Sequence, residues 1–272
     1  MIAKILSISR PRFWLYLLGP LLVGFAAGSE SAEQYFSPLF LYGLFFFLLP
    51  ANIFLYGVND FFDTDTDIHN VKKGTKEYLM QESDRNFYKN ATLAAVLFSV
   101  PLFIFLNPLP RYILVLFFLL SFFYSAPPIR FKAKPILDFV SNILYVLPGV
   151  IFYIQLTQES VPVLVLISAG CWTGAMHLYS AIPDIEADKK VSLVTTAVLL
   201  GKTNSILLCI ILWSVTAFIA SGFSSFLMIF WVYPMLTALA YSRFVSLEKL
   251  YWYFPWINTV LGFVLFWYVA LN

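Results

Sequence analysis

Phe45-Phe46-Phe47-Leu48-Leu49-Pro50-Ala51-Asn52-Ile53-Phe54-Leu55-Tyr56-Gly57-Val58 runs straight into Asn59-Asp60-Phe61-Phe62-Asp63-Thr64-Asp65-Thr66-Asp67. The apolar run opens at Tyr35, so twenty-four residues pass without a charge. That is enough helix to cross a hydrocarbon layer about 30 Å thick. Its far end then carries four carboxylates, Asp60, Asp63, Asp65 and Asp67. If the helix continues through them, Asn59, Asp63 and Asp67 recur every fourth residue and line one stripe. Carboxylates crowded at the lip of a membrane helix repel one another and are costly there unless a cation sits between them. A divalent metal is the simplest such cation.

Working outward, the 272 residues are 60% hydrophobic and 12% charged, with a mean hydropathy of +0.80. This composition describes a polytopic, all-α membrane protein and excludes an ordinary soluble domain. A net charge of +2 gives no footprint for nucleic acid. Cys171 and Cys209 sit inside apolar runs without metal-type spacing and read as small buried hydrophobes. Apolar runs bounded by turn or charge signals predict nine spans. They are Phe13 to Ala27, Tyr35 to Val58, Phe87 to Leu106, Arg111 to Ala126, Ile136 to Leu156, Val161 to Ile182, Ser205 to Ala220, Phe223 to Tyr241 and Tyr251 to Leu271. The first resembles a signal peptide after Lys4, Arg10 and Arg12, but the topology needs it as a helix. The whole chain, residues 1–272, is expected to form one integral-membrane domain.

Charge placement orients these spans. Of 17 basic residues, all but Arg111 fall in the N-terminus, in the connectors after spans two, four, six and eight or, for Lys89, in the first turn beyond such a connector. The positive-inside rule puts that face, with the N-terminus, in the cytoplasm and the C-terminus outside, as in a plasma (inner) membrane protein. A weak internal echo suggests two four-helix halves and a ninth helix: spans two and six both end in acidic clusters, and spans four and eight both end in Tyr-Ser.

Three constellations meet the cytoplasmic face. After span two comes the acidic stripe. An EF-hand loop is rejected because Ile68 stands where that loop needs Gly and Gly74 where it needs Glu. After span six come Asp184, Glu186, Asp188, Lys189 and Lys190. Asp184 and Asp188 are one turn apart, with His177 on the same stripe if the helix survives Pro183; helix packing explains His177 equally well. After span four, Tyr124-Ser125-Ala126-Pro127-Pro128-Ile129-Arg130-Phe131-Lys132-Ala133-Lys134 alternates basic residues on a Pro-stiffened segment. Beside two carboxylate pairs, these cations suit phosphate oxygens bridged to Mg²⁺, which binds through one or two carboxylates plus substrate phosphate. Two acidic sites flanking a basic patch describe a diphosphate-binding mouth. Asn52 and Asn142 extend the stripes inward, and Arg12 belongs with them as a possible cavity residue. Aromatic residues make up 19% of the chain; a subset lining the cavity would attract a carbocation and suit a long apolar substrate.

These motifs resemble the UbiA-type intramembrane prenyltransferases. The likeness rests on Asn59-Asp60-x-x-Asp63-x-x-x-Asp67, the Tyr124-Ser125 to Lys134 segment, and Asp184-x-x-x-Asp188 followed by Thr195 and Thr196. The resemblance implies nine helices around a central cavity open near the cytoplasmic face. It also implies Mg²⁺ and transfer of a prenyl group from its diphosphate to an acceptor. Asn59, Asp63, Asp67, Asp184 and Asp188 would hold Mg²⁺ and diphosphate, and Arg130, Lys132, Tyr124 and Lys189 would contact the diphosphate. Arg10-Pro11-Arg12-Phe13-Trp14, the run from Asp60 to Asp67 leading to Asn70 and Lys72-Lys73, and Ile182-Pro183-Asp184-Ile185-Glu186-Ala187-Asp188 are similar to the lycopene elongase branch. That branch lengthens carotenoids with five-carbon units, which makes dimethylallyl diphosphate the expected donor and a polyene the expected acceptor within the membrane lipid. Val71, where Pro is expected, and Ser192, where Gly is usual, depart from its pattern and leave an aromatic quinone precursor open as acceptor. A transporter of divalent cations or anionic lipid precursors is the rival of another class. It would place its ionisable groups near the midplane rather than at one edge.

Overall fold

The computed structural model describes residues 2–68 and 78–272, leaving the side chains of Asp65 and Thr66 aside. Asn70, Val71, Lys72, Lys73 and Gly74, named above, lie outside the described residues. Every regular element among the described residues is helical. Six helices are long and apolar enough to cross a membrane: Pro38–Phe62, Glu82–Phe105, Pro108–Ser125, Val163–Lys190, Thr196–Phe223 and Leu247–Leu271. A seventh is counted if Leu137–Tyr145 and Leu147–Thr157 serve as one span. Trp14–Gly28 and Ser225–Tyr241 are apolar but shorter. The protein is therefore an all-helical integral membrane protein.

Local chemistry moves several boundaries away from the hydropathy pattern. The run from Tyr35 to Val58 divides into Pro38–Leu48 and Pro50–Phe62, because Pro50 has no N–H to continue the helix. Asn52 repairs the break, its Nδ2 donating to the carbonyls of Phe47 and Leu48 at 2.9 Å each. Backbone groups freed inside a membrane need such a partner. The span expected from Ser205 begins earlier, at Thr196. Thr195 caps it by accepting from the Val198 N–H at 3.2 Å, and Gly201, at φ 72°, absorbs a kink that apolar periodicity cannot register.

The chain divides into two units. The first takes Met1–Arg130, Leu144–Ser160 and Phe266–Asn272. Its core contains Leu17, Leu21, Phe25, Phe46, Phe47, Phe117, Ile151 and Phe152. Trp14–Gly28 and Leu147–Thr157 meet backbone to backbone there, so a Cβ on Gly24 would lie 2.2 Å from the Gly149 carbonyl oxygen. Small residues permit such an approach where lipid offers no hydrophobic drive between helices. This contact corrects the two-halves echo: Leu144–Ser160 belongs with the first unit although it follows the fourth predicted span.

The second unit takes Phe131–Ile143 and Val161–Leu265. Its centre is an aromatic group in which Trp213 packs on Tyr233 with ring centroids 5.5 Å apart and on Phe254 at 5.2 Å. Tyr179 meets Phe254 edge-on at 5.0 Å. Gly174 lets Phe139 close on the Val163–Ala181 helix, its ring 3.0 Å from where a Cβ would stand.

Candidate functional site

Within the first unit, the helix Pro50–Phe62 stops at Asp63, which takes the C-cap position, and a short turn Thr64–Asp67 follows. The backbone ladder nevertheless continues, from Asp63 N–H to the Asn59 carbonyl at 3.0 Å and from Asp67 N–H to the Asp63 carbonyl at 2.8 Å. Asn59, Asp63 and Asp67 thus keep their stripe through a change of helix. Asp63 is only 2% exposed and Asp67 is buried as well. One Asp63 oxygen, Oδ2, accepts from Asn59 Nδ2 at 2.7 Å and from Ser125 Oγ at 2.8 Å. Asn59 Nδ2 also donates to Ser125 Oγ at 2.9 Å. The other oxygen, Oδ1, lies 3.8 Å from the Arg130 guanidinium. Arg130 reaches it from a left-handed backbone, φ 46°, an unusual state for a residue with a side chain.

Asp60 belongs to a different arrangement. Its Oδ1 takes a 2.6 Å ion pair from Arg10, whose guanidinium also lies 4.6 Å from the Tyr56 ring centroid. Arg10 too is left-handed, at φ 48°. Tyr56 continues into an aromatic wall: its ring is 5.9 Å from Phe13, its hydroxyl 3.5 Å from that of Tyr145, and Tyr145 meets Tyr16 edge-on at 6.1 Å. Arg12 lies half-buried with its guanidinium 5.3 Å from the Phe13 ring centroid. Tyr124 is half-buried near the end of the helix Pro108–Ser125. Asn52 sits at the helix break described above.

Within the second unit, Pro183 tightens the acidic turn. Val163–Ala181 passes through the 3₁₀ turn Ile182–Asp184 into Ile185–Lys190. Asp184 and Asp188 are half-buried, as is His177, whose carbonyl accepts from Ser180 Oγ at 2.7 Å. Lys189 is exposed and pairs with Glu186 at 3.0 Å. Lys132 is buried, 8% exposed, in the turn Phe131–Ala133. The fully buried carboxylate of this unit is Asp138. It accepts from the Thr196 N–H at 2.6 Å, from Thr196 Oγ1 at 2.5 Å and from the Phe139 N–H at 3.0 Å. Thr196 Oγ1 in turn accepts from the Ile136 N–H at 2.6 Å, holding Ile136 at φ 74°, a strained state for a β-branched residue. Asn142 Nδ2 donates to the Asp138 carbonyl at 2.7 Å. The segment bearing Lys132 is thereby tied to the start of the Thr196–Phe223 helix.

Three residues around the acidic stripe escape sequence reasoning in their roles: Ser125, Arg10 and Tyr145. They meet Asn59, Asp60 and Tyr56 from 66, 50 and 89 positions away respectively, and no periodicity marks them. Among the described residues no three His, Cys, Asp or Glu side chains converge to hold a metal alone. The chemistry of the donors is hard all the same: carboxylate, amide and hydroxyl oxygens. Mg²⁺ takes few protein ligands and fills its octahedron with water and substrate phosphate, so this set fits it and does not suit a thiol-seeking metal.

An all-helical membrane protein with buried carboxylates at helix ends and cations beside them is the class this architecture defines. The chain belongs to the UbiA prenyltransferase family, whose model matches residues 17–253, and it is a prenyltransferase. It is 41% identical over 223 residues to the lycopene elongase/hydratase of Haloarcula japonica, covering 80% of this chain and 74% of that protein. It is 44% identical over 212 residues to the protein of the same name from Haloferax volcanii, covering 77% of this chain and 69% of that one. The solved structure of a UbiA homolog from Archaeoglobus fulgidus bound to GPP and Mg²⁺ superposes with a TM-score of 0.77 at 22% identity, over 99% of this chain and 100% of that one. The fold is therefore shared. Ser192, where the resemblance leads to the expectation of Gly, stands at φ 56°, in the left-handed region that glycine enters most easily.

Proposed function

We propose that the protein lengthens a membrane-dissolved polyene, lycopene or a related carotenoid, with a prenyl group taken from an allylic diphosphate such as dimethylallyl diphosphate. Relatives above 40% identity named lycopene elongase/hydratase support this acceptor. For the chemistry, the observation that carries most is the Asp63 carboxylate. It is buried, gathered by Asn59 and Ser125, and faced by Arg130. A carboxylate held dry beside a cation is arranged to receive charged atoms rather than water.

Asn59, Asp63, Asp67, Asp184 and Asp188 would hold Mg²⁺ with the diphosphate, and Arg130, Lys132, Tyr124 and Lys189 would meet the diphosphate oxygens. When bound, Mg²⁺ neutralises charge that grows on the departing diphosphate. The basic side chains hold that leaving group in place while the allylic C–O bond breaks and its electron pair leaves with the oxygen. Aromatic walls such as Phe13, Tyr16, Tyr56 and Tyr145 keep water from the resulting cation until a double bond of the acceptor attacks it. The new C–C bond leaves a cation on the acceptor, resolved by loss of a proton or by addition of water followed by loss of a proton.

Residues 1–272 act as one domain of nine membrane segments around a cavity opening toward the cytoplasm, with the N-terminus inside and the C-terminus outside the plasma membrane. The family match running through both units supports a single domain, and the distribution of basic residues supports the orientation. The test is expression in a lycopene-accumulating bacterium with mass analysis of its pigments. Added five-carbon units are expected; unchanged lycopene, with stable protein and dimethylallyl diphosphate present, would overturn the acceptor. Release of diphosphate on adding an aromatic quinone precursor instead would assign the alternative substrate.

A further inference from the structure

We infer that Ser125 is a positioning residue that fixes which end of the Asn59 side chain faces an incoming cation. The inference rests on the proposed role of Asn59 and Asp63 at the Mg²⁺–diphosphate face. Asn59 Nδ2, Asp63 Oδ2 and Ser125 Oγ form a closed triangle with sides of 2.7, 2.8 and 2.9 Å. Ser125 is 1% exposed, so its hydroxyl is satisfied by protein.

The proton inventory leaves one arrangement. An ionised carboxylate only accepts, so the single Ser125 proton goes to Asp63 Oδ2. The Ser125 lone pair then needs a donor, and Asn59 Nδ2 supplies one proton to it and the other to Asp63. Turning the amide over would set its oxygen against a carboxylate oxygen and a hydroxyl whose proton is already committed. Two contacts therefore hold the Asn59 nitrogen against Asp63 and Ser125 and its oxygen outward from them, on the opposite side of the amide. That outward end is the one a hard cation can use.

Removing the Ser125 hydroxyl takes away one of those contacts, leaves an amide proton without its acceptor, and strips a donor from Asp63. The positioning role predicts that metal affinity falls before any substrate is present. The probe is Mn²⁺ alone, titrated into the purified full-length protein in detergent, with the bound fraction read from loss of the free-ion EPR signal. Ser125→Ala is expected to raise the dissociation constant on the order of tenfold, the scale of one hydrogen bond to a charged group. Ser125→Thr, which keeps the hydroxyl, should stay within about twofold of the parent. Parent-like Mn²⁺ binding by Ser125→Ala overturns the inference, as does Ser125→Thr binding no better than Ser125→Ala while both melt like the parent. Should Ser125→Ala fail to fold, Ser125→Cys keeps a weak acceptor and must fall between parent and Asp63→Ala; parent-like binding by it overturns the inference equally. Asp63→Ala runs alongside to separate the two levels. If it loses Mn²⁺ while Ser125→Ala does not, the positioning role falls and the proposed function stands. If the parent itself binds no Mn²⁺, the positioning role falls, while the proposed function, in which the metal is held together with diphosphate, is decided by the pigment test alone.

Discussion

Asp63-x-x-x-Asp67 and Asp184-x-x-x-Asp188 have the same spacing at the ends of two apolar helices, yet they live in different surroundings. The first pair is buried, is linked across a helix end by the Asp63-to-Asn59 and Asp67-to-Asp63 backbone bonds, and has Asn59 and Ser125 on a single carboxylate oxygen. The second is half-buried on a helix tightened by Pro183, and the buried carboxylate of its unit, Asp138, spends its oxygens on backbone and threonine donors. Spacing alone sets which residues share a face; burial and the donors nearby decide how rigidly each carboxylate is held. The first cluster is built in advance, whereas the second keeps solvent access.

The sharpest break of this comparison is in turnover. Asp63→Ala and Asp184→Ala should each lower diphosphate release in membranes by a hundredfold or more, about the effect of removing one preorganised charge-stabilising group, while protein abundance holds. Normal turnover in both variants would sink the assignment of the two clusters to one reaction. Next is the anchor of the first cluster. Arg10→Ala removes the 2.6 Å ion pair from the buried Asp60 and should cost about 3 kcal/mol, the upper end for a hydrogen bond to a charged group; a thermal melt in detergent that matches the parent would contradict this. A smaller loss is expected in the second unit. Asp138→Asn turns one acceptor into a donor facing either Thr196 or the Phe139 N–H, costing about 2 kcal/mol in the same melt. Smallest of all is Glu186→Gln. The exposed Lys189–Glu186 pair contributes little in water, and a clear drop in melting temperature would show that the second cluster is less open than described.

Much of this contrast can be read from the chain before folding. The four-residue spacing of Asn59, Asp63 and Asp67 survives because the backbone bonds continue past the helix end, and Pro183 announces the tighter turn before Asp184. What escapes is whatever depends on long-range partners or on single capping atoms. Asn52 reads as a polar residue pointing inward, but its amide serves the carbonyls that Pro50 orphans. The four-residue spacing already leaves Asp60 off the stripe, but only the fold reveals that its partner is Arg10, fifty positions earlier. Thr195 and Gly201 start and bend a helix inside a stretch that hydropathy assigns to a connector. Tertiary partners of this kind leave no period in the sequence.

The touching backbones of Gly24 and Gly149 have one more consequence. With no side chain between them, the Trp14–Gly28 and Leu147–Thr157 helices form a seam closed to hydrocarbon tails at that level. A carotenoid acceptor of the kind proposed above, long and stiff, would find no way out there. Such an acceptor would need some other gap between helices, and placing a bulky residue at either glycine would distort the wall rather than block the traffic.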